Sequence, residues 1–101
     1  MISSNVSSML SNQTYMNNSA ANVANVNTDN YVPRNTTVNE TKDGGTKADT
    51  TLATDNGSAQ SQTNLTKELT DQMMIQNINE ANVKAIQTQN NVMGSLLDIK
   101  A

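Results

Sequence analysis

Glu68, Asp71 and Glu80 are the carboxylates weighed for acid–base chemistry in this 101-residue chain. Carboxylates do such work beside a second acid, a base or a metal cluster, and none accompanies them. Their helical spacing reads instead as a solvated face, with Glu80 and Lys84 at i and i+4 expected to form an ordinary surface ion pair. The chain contains no His and no Cys. That removes the commonest acid–base catalyst and metal ligand, together with disulfides, thiolate metal sites and thiol nucleophiles. Met9, Met16, Met73, Met74 and Met93 are read as flexible packing filler rather than metal ligands. No catalytic residue, metal site or cofactor is expected, and the chain is not read as an enzyme.

The composition narrows the class further. Only 35% of residues are hydrophobic, aromatics are limited to two tyrosines, and Asn, Gln, Ser and Thr make up 46 positions. A small domain already buries a modest share of its surface, and bulky aromatics usually carry much of a core's energetics. The net charge is only −3 and charged residues are 15%, so the chain lacks the strong charge of most disordered sequences. Polarity without strong charge suits a subunit that becomes ordered against copies or relatives of itself and folds poorly alone. The six Lys and Arg residues are scattered, which gives no footprint for nucleic acid. No apolar run approaches membrane-span length. The first residues lack the charged and apolar regions of a cleaved Sec-type signal.

The elements that must position these residues fall into three segments. In residues 1–31, Ile2, Met9, Met16 and Val23 repeat every seven positions, with Val6, Gln13, Ala20 and Asn27 four positions on. This predicts a helix over about 2–28 with a narrow apolar seam. Thr28-Asp29-Asn30 supplies turn chemistry, and Val32-Pro33 shows that the helix is over by then, because the residue before proline is pushed toward extended geometry. Residues 32–63 hold few aliphatic side chains. Asp43-Gly44-Gly45 and Asn56-Gly57 mark turns, Val38–Lys42 gives a short strand hint, and the segment is read as an irregular polar loop or extended linker. Over residues 64–101, Leu65, Leu69 and Met73 lead into Ile75, Ile78, Asn82, Ala85, Gln89, Val92, Leu96 and Ile99. Met74, Ile86, Met93 and Leu97 widen that stripe. It predicts a helix of about 35 residues and roughly 50 Å, with an apolar face broad enough for more than one neighbour. The expected fold is all-α: two long terminal helices forming an antiparallel, coiled-coil-like hairpin, ordered in a helical assembly.

Two stretches carry a family resemblance. Ala20-Ala21-Asn22-Val23-Ala24-Asn25-Val26-Asn27-Thr28-Asp29-Asn30-Tyr31 resembles the signature A-N-N-[IL]-A-N-x-N-T-x-G-[YF] of the bacterial flagellar axial proteins, the rod and hook families. Ala20, Asn22, Ala24, Asn25, Asn27, Thr28 and Tyr31 match. Ala21 replaces an Asn, and Asn30 replaces the usual Gly, a mild change because Asn tolerates positive φ. Leu69-Thr70-Asp71, Glu80 to Thr88 and Leu96-Leu97-Asp98-Ile99-Lys100 are similar to the carboxyl-terminal helix of the same proteins, with Gln76 kept and Asn77 and Asn79 standing where Arg and Tyr are usual.

The resemblance covers both ends of the chain and implies a minimal, rod-type member, because residues 32–63 leave no room for the β-rich outer domain of longer relatives. It implies a structural subunit of the basal-body rod or rod–hook region that polymerises through its terminal helices. The implied partners are other rod or hook subunits, copies of itself and the flagellar type III export apparatus. The implied location spans the periplasm after export. Subunit packing is then expected at Asn22, Ala24, Asn25, Asn27, Thr28, Tyr31, Leu69, Ile75, Ile78, Ala81, Asn82, Ile86, Met93, Leu96 and Leu97. A small coiled-coil adaptor or assembly factor that does not join the axis is the competing class.

Overall fold

The structure is a computed structural model that describes residues 2–100, with side chains described through residue 97. Ile99, placed in the apolar stripe, and Asp98 and Lys100, placed in the terminal motif, have side chains outside the described residues. The element order is α1 (Ile2–Ala24), β1 (Arg34–Glu40), β2 (Thr46–Leu52) and α2 (Leu65–Lys100). The fold is therefore α+β, which corrects the all-α expectation. The middle segment is a two-stranded antiparallel hairpin, with Thr36 opposite Thr50 and Val38 opposite Ala48. It was expected as a loop because no apolar alternation marks it. β-Branched threonines stand where a half-buried strand usually carries aliphatics.

Asp43-Gly44-Gly45 makes the hairpin turn, with Gly44 at φ +86°. Gly45 is buried under α1, where an added Cβ would stand 2.8 Å from Ser7 Oγ. Only glycine permits so close an approach. A backbone bond from Ala53 N to Pro33 O (2.9 Å) continues the pairing past the strand ends.

The helix boundaries follow from capping. α1 ends at Ala24, short of the expected end near residue 28, because the chain tightens into turns there, with Asn25 N bonding Ala21 O and Val26 N bonding Val23 O. Asn25 Nδ2 also donates to Ala21 O at 2.8 Å. At the start of α2, Asn64 Oδ1 accepts from Lys67 N at 3.1 Å, the side-chain cap that satisfies a free N–H of the first turn.

α1 lies between the other elements and packs against both β-strands and α2, whereas α2 does not touch the hairpin. α1 and α2 run antiparallel, because side-chain bonds join Asn22 to Glu68, Ser19 to Gln72, Asn12 to Asn79 and Ser8 to Asn82. Continued, this register sets Ile2 opposite residues 88–89, so residues 90–100 overhang α1 by about 16 Å. The molecule is elongated, 67 × 25 × 13 Å, with a radius of gyration of 18.1 Å; a compact chain of this length has about 13 Å.

The interior is polar. Ile75 is the one fully buried large aliphatic among the described residues, while Ser11, Asn12, Asn18, Ser19, Asn22 and Glu68 are all buried. The apolar seam expected on α1 is not its packed face. Ser8, Asn12 and Ser19 face α2, and Ser7, Ser11 and Asn18 face the hairpin. Ile2, Met9, Met16 and Val23 lie beside the α2 contact, rotated from its centre by roughly 80° at 100° per residue. On α2 the packed stripe is Glu68, Gln72, Ile75, Asn79, Asn82, Ile86 and Gln89, a heptad of mostly amides.

Candidate functional site

The turn signature folds onto its own chain around Asn22. This side chain is 1% exposed. Its Nδ2 donates to Arg34 O at 2.8 Å and to Glu68 Oε1 at 2.9 Å. Its Oδ1 accepts from Tyr31 OH at 2.9 Å and from Arg34 N at 2.8 Å. An amide offers two donors and two lone pairs, and all four are used. One residue therefore joins α1, the incoming turn, β1 and the first turn of α2.

The rest of the signature shapes the turn. Thr28 Oγ1 donates to Asn25 Oδ1 at 2.9 Å, and Tyr31 N bonds Thr28 O at 3.3 Å. Asn30 stands at φ 61°, the left-handed geometry for which asparagine was expected to serve in place of glycine. Asn30 N and Tyr31 O also bond Ala59 O and Gln62 N, tying the turn to the segment that leads into α2.

Glu68 was expected among the solvated charges, yet it is 3% exposed. Its burial is compensated by the Asn22 amide and by Lys67 Nζ at 3.9 Å. Lys67 also pairs with Asp71 at 2.9 Å, which holds the lysine above its ordinary pKa, mainly through that hydrogen bond. Tyr15 faces the same cluster, and burial followed by the charge of Asp71 pushes its phenol up. The i, i+4 ion pair among the described residues is thus Lys67–Asp71, not Glu80–Lys84. At the hairpin turn, the Thr41 hydroxyl and the Gly45 N–H hold Asp43 below the usual carboxylate range.

A second set of polar bonds ties α1 to the hairpin. Ser7 Oγ donates to Thr46 O at 2.8 Å and accepts from Thr46 N at 2.7 Å. Ser11 Oγ meets Thr46 Oγ1 at 2.9 Å. Asn18 Nδ2 bridges the cross-strand pair, reaching Thr36 Oγ1 at 2.8 Å and Thr50 Oγ1 at 2.9 Å. None of these residues was singled out from the sequence. The available signal was the spacing of four and seven in Ser7, Ser11, Asn18 and Asn22, a helical stripe written in polar letters.

The residues expected at subunit contacts divide into two groups. Asn22, Asn25, Tyr31, Ile75, Asn82 and Ile86 are buried or half-buried within the chain. Asn79, where the family pattern has Tyr, accepts from Asn12 Nδ2 at 3.0 Å. Ala24, Asn27, Thr28, Leu69, Ile78, Ala81, Met93, Leu96 and Leu97 are exposed. The overhanging turns of α2 present Val92, Met93, Leu96 and Leu97 at 55–64% exposure. An open apolar groove runs there between Ile2 and Val92, Met93 and Leu96. A second groove runs between Met16 on α1 and Val83 on α2. No group of His, Cys, Asp or Glu that could hold a metal ion occurs among the described residues, and no described helix is long and apolar enough to cross a membrane. No protein-family model matches the chain, and no curated protein matches it.

Proposed function

We propose that this chain is a structural subunit of the bacterial flagellar basal-body rod or rod–hook region, polymerising through its terminal helices around a hollow axis. The observation that carries the reading is the overhang of α2. Its last turns extend past the start of α1 with Val92, Met93, Leu96 and Leu97 exposed on a continuous helix. A monomer rarely leaves such a contiguous apolar patch uncovered without a partner. Exposed Leu65, Leu69 and Met73 at the opposite end of α2 supply a second apolar surface. Two different surfaces at opposite ends suit heterologous, head-to-tail contacts, which build filaments when they do not close. The resemblance at both ends of the chain supplies the flagellar context, the neighbouring rod or hook subunits, the type III export route and the periplasm-spanning location.

The second reading is a small adaptor or assembly factor of the flagellum. The closed network at Asn22 favours it, because that network lets the junction of α1, hairpin and α2 satisfy itself without neighbours. Detergent-extracted basal bodies separate the two. An axial subunit copurifies with the rod after extraction and high-salt washing. Consistent absence from that fraction, with the protein present in the cell, overturns the structural reading.

A further inference from the structure

Seventeen asparagines occur in the chain, and only Asn56 is followed by glycine. The pair lies in the exposed connection between β2 and α2. Gly57 adopts φ +79°, and no heavy atom lies within 4 Å of the place where its Cβ would be. The connection is not slack. Ala59 O accepts from Asn30 N at 2.8 Å, and Gln62 N donates to Tyr31 O at 3.0 Å, so its far half is clipped to the turn after α1.

Within this clip the polar groups converge on one peptide. Gly57 N–H donates to Asp55 Oδ1 at 2.8 Å. Asn56 Oδ1 accepts from Ser58 N at 2.9 Å. Gln62 spans the loop, donating from Nε2 to Asp55 Oδ1 at 2.8 Å and accepting from Asn56 N at 3.1 Å. The Gln62 amide and the Gly57 N–H hold the Asp55 carboxyl below its ordinary range, so it is an acceptor at neutral pH. These are the parts of an intramolecular acyl transfer. A nitrogen nucleophile has a carboxylate on its proton, as a general base requires, and the amide under attack has an N–H donor on the oxygen where negative charge develops.

We propose that Asn56–Gly57 is a self-modifying site, at which the loop promotes cyclisation of the Asn56 side chain onto the Gly57 backbone nitrogen. The Gly57 nitrogen forms a bond to Asn56 Cγ and its proton passes to Asp55. The Cγ–Nδ2 bond breaks, the amide nitrogen takes up a proton, and ammonia leaves. The product is a five-membered cyclic imide. Water adds to either ring carbonyl and opens the ring to aspartate or isoaspartate at position 56. One water is consumed and one ammonia released, with no oxidant or second substrate. Every other asparagine is followed by a residue with a side chain that crowds this attack, and most lie in α1, β1 or α2, where regular backbone bonding resists ring closure.

The full chain, aged at neutral pH and 37 °C, is digested and mapped by mass spectrometry with enzymatic detection of isoaspartate. Asn56 is expected to convert before the other sixteen asparagines and to give both products. Asp55→Asn is expected to slow conversion at least about tenfold, short of the ~10²-fold that a well-placed base supplies in a closed site. Unfolding the native chain in urea is expected to slow it similarly, and Gly57→Ala to suppress it while leaving the helical circular dichroism unchanged. Earlier conversion of any other asparagine overturns the proposal. So does equal conversion in the native chain, the Asp55→Asn variant and the unfolded chain, because the reaction would then belong to the dipeptide and not to the loop.

Discussion

Replacing Asn22 by aspartate is the sharpest test of the polar junction, because it keeps the shape, removes the donors and adds one charge. In the native chain Nδ2 donates to Glu68 Oε1 at 2.9 Å and to Arg34 O at 2.8 Å. Aspartate loses both bonds. The neutral bond is worth about 1 kcal/mol and the one to a carboxylate about 1.5–3 kcal/mol. The new carboxylate also meets Glu68 at contact distance, where like charges at an effective dielectric near 20 repel by about 4 kcal/mol. The sum, roughly 7 kcal/mol before relaxation, compares with a total stability of about 5–15 kcal/mol for domains in general. One fully buried large aliphatic among the described residues puts this chain at the low end. Asn22→Asp is therefore expected to melt the junction at neutral pH, while Asn22→Ala, which adds no charge but loses all four bonds, costs somewhat less, about 5 kcal/mol. Burial and the like charge raise the folded-state pKa of the introduced acid above its unfolded value near 3.9. The folded state then binds the extra proton, so the variant's stability recovers as pH falls and is lost as pH rises through the folded pKa. Thermal melts followed by circular dichroism, at a chain concentration where the parent is helical, measure both effects. An aspartate variant within about 0.5 kcal/mol of the parent at neutral pH, or one whose pH dependence matches that of the alanine variant, refutes the reasoning.

Three further outcomes are expected. Leu96→Asp leaves the helical signal of the isolated chain intact and blocks assembly, whereas Ile86→Asp lowers both because Ile86 is half-buried against α1; identical behaviour of the two in melting and complementation assays contradicts the exposed assignment of Leu96. Asn12→Cys combined with Asn79→Cys, at a pair whose side-chain tips meet at 3.0 Å across the two helices, is joined within one chain by a short bis-maleimide cross-linker, and a product that is only intermolecular on denaturing gels contradicts the antiparallel register. Gly94→Ala, with nothing within 4 Å of the added Cβ, stabilises the end of α2 by about 1 kcal/mol, read as increased amide protection there by hydrogen exchange.

What the sequence made legible was local backbone chemistry. Asn30 sits at positive φ, Asp43-Gly44-Gly45 turns the chain, and the long final helix begins within a residue of its expected start. Each depends on a few adjacent residues. The hairpin and the orientation of the helices were not legible, for one shared reason. Periodicity was read from aliphatic side chains, but the contacts that place β1, β2 and α2 on α1 are made by Ser7, Ser11, Asn18 and Asn22 to threonines, backbone groups and a glutamate. A polar residue in a sequence is usually a surface residue. It becomes interior only when its particular partner is known, and those partners lie 12 to 46 positions away at Arg34, Thr36, Thr46, Thr50 and Glu68. Glu68, a carboxylate on a helix, falls under that same general rule.

The division between polar seam and apolar exterior bears on how such a chain associates. Fourteen large apolar side chains are exposed among the described residues, against one that is fully buried. The hydrophobic drive is thus largely unspent when the chain folds on itself. Amide and hydroxyl pairs contribute only about 0.5–1.5 kcal/mol net each, but they fail in any register that leaves a buried group unpaired. They therefore set alignment more than stability. Asn12 against Asn79 and Ser8 against Asn82 hold α2 in one register along α1, and that register delivers Val92, Met93, Leu96 and Leu97 beyond the end of α1. An apolar intrachain seam would hold the helices more tightly and consume the same side chains. A polar seam leaves them available, so under the proposed subunit role association would contribute the stability that folding alone does not.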